Sequence, residues 1–371
     1  MLRGDRVRGR DHFDWPLFLV CATIGVVGIV NLYSATSVYL EVARKKALAD
    51  IYVSQVYWMV VGVLLAILAS AIDYRHFERF AYAFYAVGMA TLVALLMFGT
   101  GIRGAVRWVE IGSFTFQPSE FTKILLVLAV ARAVHDDPRT EPRRVLDLWL
   151  PGVLTAIPFF LILRQPDLGT ALVHVMVVLS IMAMTKVRRG SLIALIVGIS
   201  AFSVFAWNYL LHDYQKARVT AFLDPEADKT GSGWHAFQSK TAIGNGGFTG
   251  QGFMQGTQNQ FGFLPDQFSD FPFAVFAEDW GFVGSALLLA LYAFLCIWAV
   301  HIASQAKDRF GAALAIGMGA IIFWHTLANI GMVLGVMPVT GITLPFFSYG
   351  GSSMLSMCIA CGLLMNVSMR R

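Results

Sequence analysis

Charge is what this chain has least of: 14% of its 371 residues are charged, 57% are hydrophobic and the mean hydropathy is +0.64. That balance excludes an ordinary soluble domain. Cysteine is also sparse. Cys21, Cys296, Cys358 and Cys361 all sit in apolar runs, which argues against disulfides. The C-x-x-C spacing of the last two has no second pair or His partner, so it reads as helix packing rather than metal ligation. The Gly-rich stretch "GNGGFTGQG", Gly244 to Gly252, matches neither G-x-G-x-x-G nor G-x-x-x-x-G-K-[ST]. It therefore reads as turns and close backbone approach, with a backbone nest for a phosphate as the alternative. No cleavable signal peptide is evident, because the apolar run from Trp15 continues long enough to span a bilayer.

What the chain does have is long apolar runs. Read at about 17–25 residues each, they predict an all-α polytopic integral membrane protein of about ten spans. The spans centre near Val27, Val61, Met89, Leu126, Phe159, Val177, Val197, Leu288, Ile321 and Cys358. Lipid demands that backbone polar groups be satisfied internally, so the spans are expected to pack as one bundle. The predicted organisation is a basic N-terminus over 1–14, a single membrane domain over 15–369 and a C-terminus of 370–371. A long extracytoplasmic loop over 211–269 precedes the eighth span.

Lys and Arg sort unevenly between the two sides. Seventeen lie in the segments that include both termini, ten on the other side, and Lys123 lies within a span. Positive residues favour the cytoplasm, so both termini are predicted cytoplasmic. The surplus of positive charge is an orientation signal and calls for no nucleic-acid partner.

The polar residues concentrate on the opposite face. In "GAVRWVEIGSFTFQPSEFTK", Gly104 to Lys123, Pro118 suits a first helical turn with Gln117 as a weak cap, and Glu120 and Lys123 share one helix face. That pair either staples the helix start or faces a cavity inside the bundle. Arg107 and Trp108 make the mouth of such a cavity cationic. "RQPDLG" from Arg164 and "PFFSYGGSS" from Pro345 lie on the same face. There Asp167 has a helix-capping alternative, and Ser348, Ser352 and Ser353 a backbone-bonding one.

Four acidic residues, Asp266, Asp270, Glu278 and Asp279, stand at the head of the eighth span. Ser269 or Asp270 is expected to cap that helix, with Pro272 in its first turn. From Phe271 to Val300 it would run roughly 45 Å at 1.5 Å per residue, which puts Asp270 in the outer interface. Glu278 lies about 12 Å further along, an arrangement unlike the facing carboxylates of a glycoside hydrolase. One carboxylate beside a cationic, lipid-accessible cavity suits transfer chemistry: it takes a proton from an attacking hydroxyl while Lys or Arg steadies an anionic leaving group.

"RW" with "FQPSEFTKI", "RQPDLGTAL", "HDYQKARVTAFLDPEAD", "GSGWHAFQSKTAIGNGGFTGQG", "GTQNQFGFLP", "DFPFAVFAED" and "LPFFSYGGSS" together resemble, in order, the motifs of the shape, elongation, division and sporulation (SEDS) family. The resemblance runs from about Trp15 to Met369. "GTQNQ" with "LHDYQ" is more similar to the elongation members than to the division members. The resemblance implies a peptidoglycan glycosyltransferase that polymerises lipid II into β-1,4 strands, with inversion, at the outer face of the cytoplasmic membrane. It implies Asp270 as general base and Glu120 and Lys123 as a functional pair, with Arg107, Gln117, Gln238, Lys240 and Ser348 in motifs that line a substrate cavity. It also implies a class B penicillin-binding protein as partner, alongside other elongation-complex proteins. The sequence departs from the family where relatives commonly read His-Thr-Asp-Phe-Ile-Phe-Ala: here stand Phe268, Ser269, Asp270, Phe271, Pro272, Phe273 and Ala274. Likewise Glu278, Asp279, Trp280 and Gly281 replace Glu-Glu-Leu-Gly.

Two other readings stay open at this level: a lipid II flippase or transporter, and a scaffold that only recruits the transpeptidase. No cofactor is specified. A divalent cation at the departing diphosphate is compatible with the chemistry, but no ligand spacing encodes one.

Overall fold

The computed structural model describes residues 13–41, 50–99, 107–111, 114–137, 139, 141–224, 232–264 and 266–371. The basic N-terminus up to residue 12 lies outside the described residues, as do Arg44, Lys45, Lys46, Arg103, Gly104 and Lys229. The helices in chain order are α1 (Trp15–Glu41), α2 (Ile51–Ala71), α3 (Tyr74–Arg79), α4 (Ala81–Phe98), α5 (Pro118–Asp136), α6 (Trp149–Leu163) and α7 (Leu168–Ala183). They continue with α8 (Arg189–Tyr209), α9 (Asp213–Leu223), α10 (Ser232–Gly246), α11 (Thr257–Gln260), α12 (Pro272–Ser304), α13 (Arg309–Val333) and α14 (Gly351–Met369). A two-stranded antiparallel hairpin, β1 (Val109–Ile111) with β2 (Phe114–Phe116), pairs Glu110 with Thr115 just before α5.

Each of the ten expected span centres falls within a helix, and eight helices are long and apolar enough to cross a bilayer, which makes this a multi-pass membrane protein. The other two are α7, with 16 residues, and α5, which carries Glu120, Lys123, Arg132 and Asp136.

Two helices form the centre. Of an 18-residue stretch of each helix, 89% of the residues are buried in α14 and 72% in α13 but only 6% in α8, which presents Ile193, Ile196, Val197 and Val204 outward, as a lipid-facing helix does. α14 interleaves Gly, Ser, Ala and Cys with Met and Leu, and its small residues let neighbouring helices come close. A Cβ at Gly362 would collide with the backbone of Ala66, and one at Gly62 would meet Cys358, so α2 and α14 approach with little between them. At the end of the bundle that holds the chain's C-terminus, Asp14 accepts hydrogen bonds from Trp298 at 3.0 Å and Ser368 at 2.5 Å. These bonds tie the start of α1 to the ends of α12 and α14.

The expected continuous eighth helix is corrected by the structure. α12 breaks at Gly281, whose φ of 64° and ψ of −160° no residue with a side chain holds without strain. The Gly-rich stretch packs into that break. Phe282 donates to the Gly247 carbonyl at 3.0 Å and Val283 to the Phe248 carbonyl at 3.2 Å, while Gln251 and Gly252 donate to the carbonyls of Glu278 and Asp279 at 2.9 and 3.1 Å. Freed backbone groups at membrane depth must find such partners. A Cβ at Gly246 or Gly250 would strike the carbonyl of Ala277 or Asp279, which bears out close backbone approach for this stretch. Gly281→Ala is therefore expected to destabilise the fold by about 1–3 kcal/mol, read as a lowered thermal midpoint in detergent.

The helix starts also differ from expectation. Phe271, not Ser269 or Asp270, occupies the cap position of α12, and Pro272 takes the first turn as expected. Gln117 stands at the cap position of α5 without a side-chain cap bond. The long loop over 211–269 is substantially helical, containing α9, α10 and α11.

Candidate active site

The starts of α5, α7, α12 and α14 meet at one end of the bundle, around a cavity of about 770 Å³. Each helix start exposes N–H groups and the positive end of its dipole, so four of them bias the space toward anions. The volume falls within the range of small-molecule sites. Arg107, Trp108, Thr115, Gln117 and Glu120 line the cavity. So do Asp167, Thr170, Arg218, Asp266, Ser269 and Asp270, together with His325, Thr340 to Thr343, and Tyr349 to Ser353.

Asp270 is half-buried on the cavity wall. Burial, reinforced by Asp266, pushes its carboxyl up to about 6, although a hydrogen bond from Ser269 and the charges of Arg218 and Arg107 pull the other way. Its carboxylate sits against Gly341, where a Cβ would lie 3.5 Å from Oδ2. Gly341 itself has φ of 73°. A residue with a side chain there would be strained and would also crowd the carboxylate.

The same cavity meets a buried ionic pair. Lys123 Nζ donates to Glu120 Oε2 at 2.9 Å and to His325 Nε2 at 2.6 Å. Because an ammonium has only donors, His325 Nε2 accepts, its proton sits on Nδ1, and Nδ1–H donates to the Thr343 carbonyl at 3.1 Å. Ser356 adds a bond to Glu120 at 3.3 Å. Lys123 is only 1% exposed and stands behind Glu120, so its charge reaches the cavity through that carboxylate and through His325.

Arg107 is fixed at the mouth: its Nε donates to the Gln165 carbonyl at 3.2 Å and its Nη2 to the Pro166 carbonyl. The Gln117 side-chain amide donates to Asp167 at 3.4 Å and its backbone N–H to Ser352 Oγ at 2.9 Å. Asp167 caps α7 through the Thr170 N–H at 3.2 Å while still facing the cavity. The capping alternative and the cavity are therefore compatible.

Of the eight residues singled out from sequence, Asp270, Glu120, Arg107 and Gln117 share the cavity, and Lys123 lies directly behind it. Gln238, Lys240 and Ser348 do not line it. Gln238 is buried on α10. Lys240 borders a separate cleft with Arg218, which faces both spaces. Ser348 is buried and bonds backbone, its Oγ accepting from the Leu344 N–H at 2.8 Å, in line with the backbone-bonding alternative.

Glu278 and Asp279 belong elsewhere. Glu278 accepts from the N–H groups of Gln258 and Asn259 at 3.0 and 3.3 Å, capping α11, and Asp279 accepts from Ser34 at 2.5 Å. The four acidic residues are thus two lining the cavity and two that tie α12 to the loop and to α1.

Sequence reasoning missed His325 and Arg218. His325 had one usable signal: with Asn329 it forms a polar i, i+4 pair in an otherwise apolar span. Arg218 lies in the "HDYQKARVTAFLDPEAD" motif, whose spacing carries no signal that sets it apart. Among the described residues no three of His, Cys, Asp or Glu converge as metal ligands.

The chain matches the FtsW/RodA/SpoVE cell cycle protein family over residues 14–371. It is 36% identical over 360 residues to the peptidoglycan glycosyltransferase MrdB of Escherichia coli K12, covering 97% of this chain and 94% of the relative. Its fold is similar to a chain from a peptidoglycan synthase complex that coordinates polymerization and crosslinking, with a TM-score of 0.80, 33% identity and coverage of 97% and 98%. It is also similar to the rod shape determining protein RodA of Thermus thermophilus, with a TM-score of 0.70, 30% identity and coverage of 97% of each chain.

Proposed function

The chain belongs to the FtsW/RodA/SpoVE family of cell cycle proteins, and from that premise we propose that it is the peptidoglycan glycosyltransferase of cell elongation, polymerising lipid II in the cavity around Asp270. The observation that carries this reading is the placement of Asp270. It is a half-buried carboxylate whose pKa is pushed up to about 6, on the wall of a cavity that also presents Arg107 and Arg218. A group that ionises near the working pH is the useful kind of base, because it is largely deprotonated yet basic enough to take a proton.

In this reading the 4-hydroxyl of the acceptor's N-acetylglucosamine lies against Asp270, which takes its proton as the oxygen attacks the anomeric carbon of the lipid-linked donor strand. The anomeric C–O bond to the polyprenyl diphosphate breaks, and the β-1,4 bond forms with inversion. The diphosphate carries away the bonding electrons and meets Arg107, Arg218 and the helix starts. Glu120, held by Lys123, and Gln117 line the space for the sugar and peptide groups. Arg107 and Arg218 help lower the Asp270 pKa, so each also limits how basic the carboxylate becomes.

The active face is then the outer side of the cytoplasmic membrane, with both termini in the cytoplasm and 370–371 at the inner surface. A class B penicillin-binding protein crosslinks the strands, as a related chain's place in a complex of polymerization and crosslinking suggests.

The test is incubation of the purified full-length chain and its transpeptidase partner with labelled lipid II in proteoliposomes. A ladder of glycan strands, cleaved by a muramidase, is the expected product. Movement of lipid II across the bilayer without any ladder would replace this reading with a flippase.

A further inference from the structure

One buried side chain connects two segments of the cavity lining and has no part in the reaction as derived above. Asn329 sits in the C-terminal half of α13, fully buried. Its Nδ2 donates to the Asp270 carbonyl at 2.9 Å and to the Ile342 carbonyl at 2.8 Å. The first bond reaches the segment that bears the proposed base. The second reaches the wall against which the Asp270 carboxylate lies, one residue from Gly341.

The chemistry of the site selects asparagine. Two carbonyl oxygens converge on one point, so the group between them needs two N–H donors on one neutral atom, at the reach of a short side chain. Aspartate offers no donor and places a charge against two carbonyl dipoles. Leucine fills the volume without a donor, and serine supplies one. The opposite orientation of the amide would set its oxygen against both carbonyls, so the donors face the site.

Position along the helix adds a second observation. His325 lies four residues earlier, on the same face, and fixes Thr343 while accepting from Lys123. One face of α13 therefore grips the 342–343 wall at two successive points, with the Glu120–Lys123 pair at one end and Asp270 at the other.

We infer that Asn329 is a positioning residue for the reaction, setting the distance between the Asp270 carboxylate and the wall of Gly341 to Thr343 so that the base meets the acceptor hydroxyl. This rests on the assignment of Asp270 as base. Asn329 touches no reacting atom; it acts through the backbone of Asp270. A displacement near 1 Å at a reacting group costs on the order of 100-fold in rate, so losing both bonds is expected to cost about 10–100-fold.

The experiment compares Asn329→Leu and Asn329→Ser with wild type, each alone and combined with Asp270→Asn, as full-length chain with its transpeptidase partner on labelled lipid II. The inference expects kcat to fall about 10–100-fold in Asn329→Leu and less in Asn329→Ser, with KM unchanged within about twofold. It also expects Asn329→Leu to lower the residual rate of Asp270→Asn no further, because the group being positioned is already gone. Wild-type kcat in Asn329→Leu, or an equal fold-loss in both backgrounds, overturns it. If Asn329→Leu does not fold, Asn329→Ser decides by the same comparison of backgrounds. Full activity of Asp270→Asn alone overturns the base assignment instead, and the inference with it.

Discussion

Asp270→Asn is expected to lower the rate of glycan-strand formation by about 10²–10⁴-fold, the usual worth of a general base, while KM and partner binding stay near wild type. The amide keeps the shape and some hydrogen-bonding capacity of the carboxylate but accepts no proton at neutral pH. Stability distinguishes this from damage. The native carboxyl ionises at about 6 and an unfolded one near 3.9, so the native state holds an extra proton between those values, and stability falls as pH rises through that window. At pH 7 ionised Asp270 is a cost that the amide does not carry. The thermal midpoint of Asp270→Asn at pH 7 should therefore equal or exceed that of wild type, measured by differential scanning fluorimetry in detergent. A folded, stable chain that no longer polymerises is the signature of a lost base; a marked fall in midpoint would instead mark Asp270 as structural.

Lys123→Met is expected to act in the opposite manner, through stability first. It removes the cation from a pair that is almost wholly buried, leaving Glu120 charged with only the Ser356 hydroxyl as donor and His325 Nε2 without its donor. Stranding one member of a buried pair typically costs about 3–5 kcal/mol, which should appear as a large drop in thermal midpoint together with loss of polymerisation. Replacing both charges, as Glu120→Gln with Lys123→Met, removes the unpaired charge and should recover most of the midpoint. Activity should stay low, because Glu120 faces the cavity. The comparison separates the two roles of the pair: midpoint follows charge balance, rate follows Glu120. A double variant as unstable as Lys123→Met would mean that packing around the lysine stem, not charge, holds this region.

Much of this arrangement is legible in the sequence, for identifiable reasons. The helices are readable because apolar runs of spanning length admit little else in lipid. Glu120 and Lys123 can be paired because three residues on a helix return to one face, and Pro118 fixes where that face begins. The motif resemblance singles out Asp270. What escapes reading depends on contacts between distant segments. The break at Gly281 follows from the Gly-rich stretch supplying its backbone partners some thirty residues earlier, and a lone Gly-Phe in an apolar helix does not announce that. Glu278 and Asp279 resemble further site carboxylates in sequence, and only the fold shows α11 taking its cap from Glu278. His325 and Asn329 sit in a largely buried span, so burial does not mark which face is functional; only the positions of Thr343, Asp270 and Ile342 give them meaning. Lys240, expected in the cavity, borders a neighbouring cleft, because α10 packs on α12 and α13 beside the site rather than over it.

The most direct test of the central claim is the pH dependence of kcat/KM for glycan-strand formation, which reports the ionisation of the free enzyme's base. With Asp270 as that base and its pKa near 6, the rate should be level at neutral pH and fall about tenfold per unit below 6. The small residual rate of Asp270→Asn should show no such limb. A wild-type profile that stays level down to the ordinary carboxylate range, or a limb near 6 that persists in Asp270→Asn, would contradict the account and place the base elsewhere.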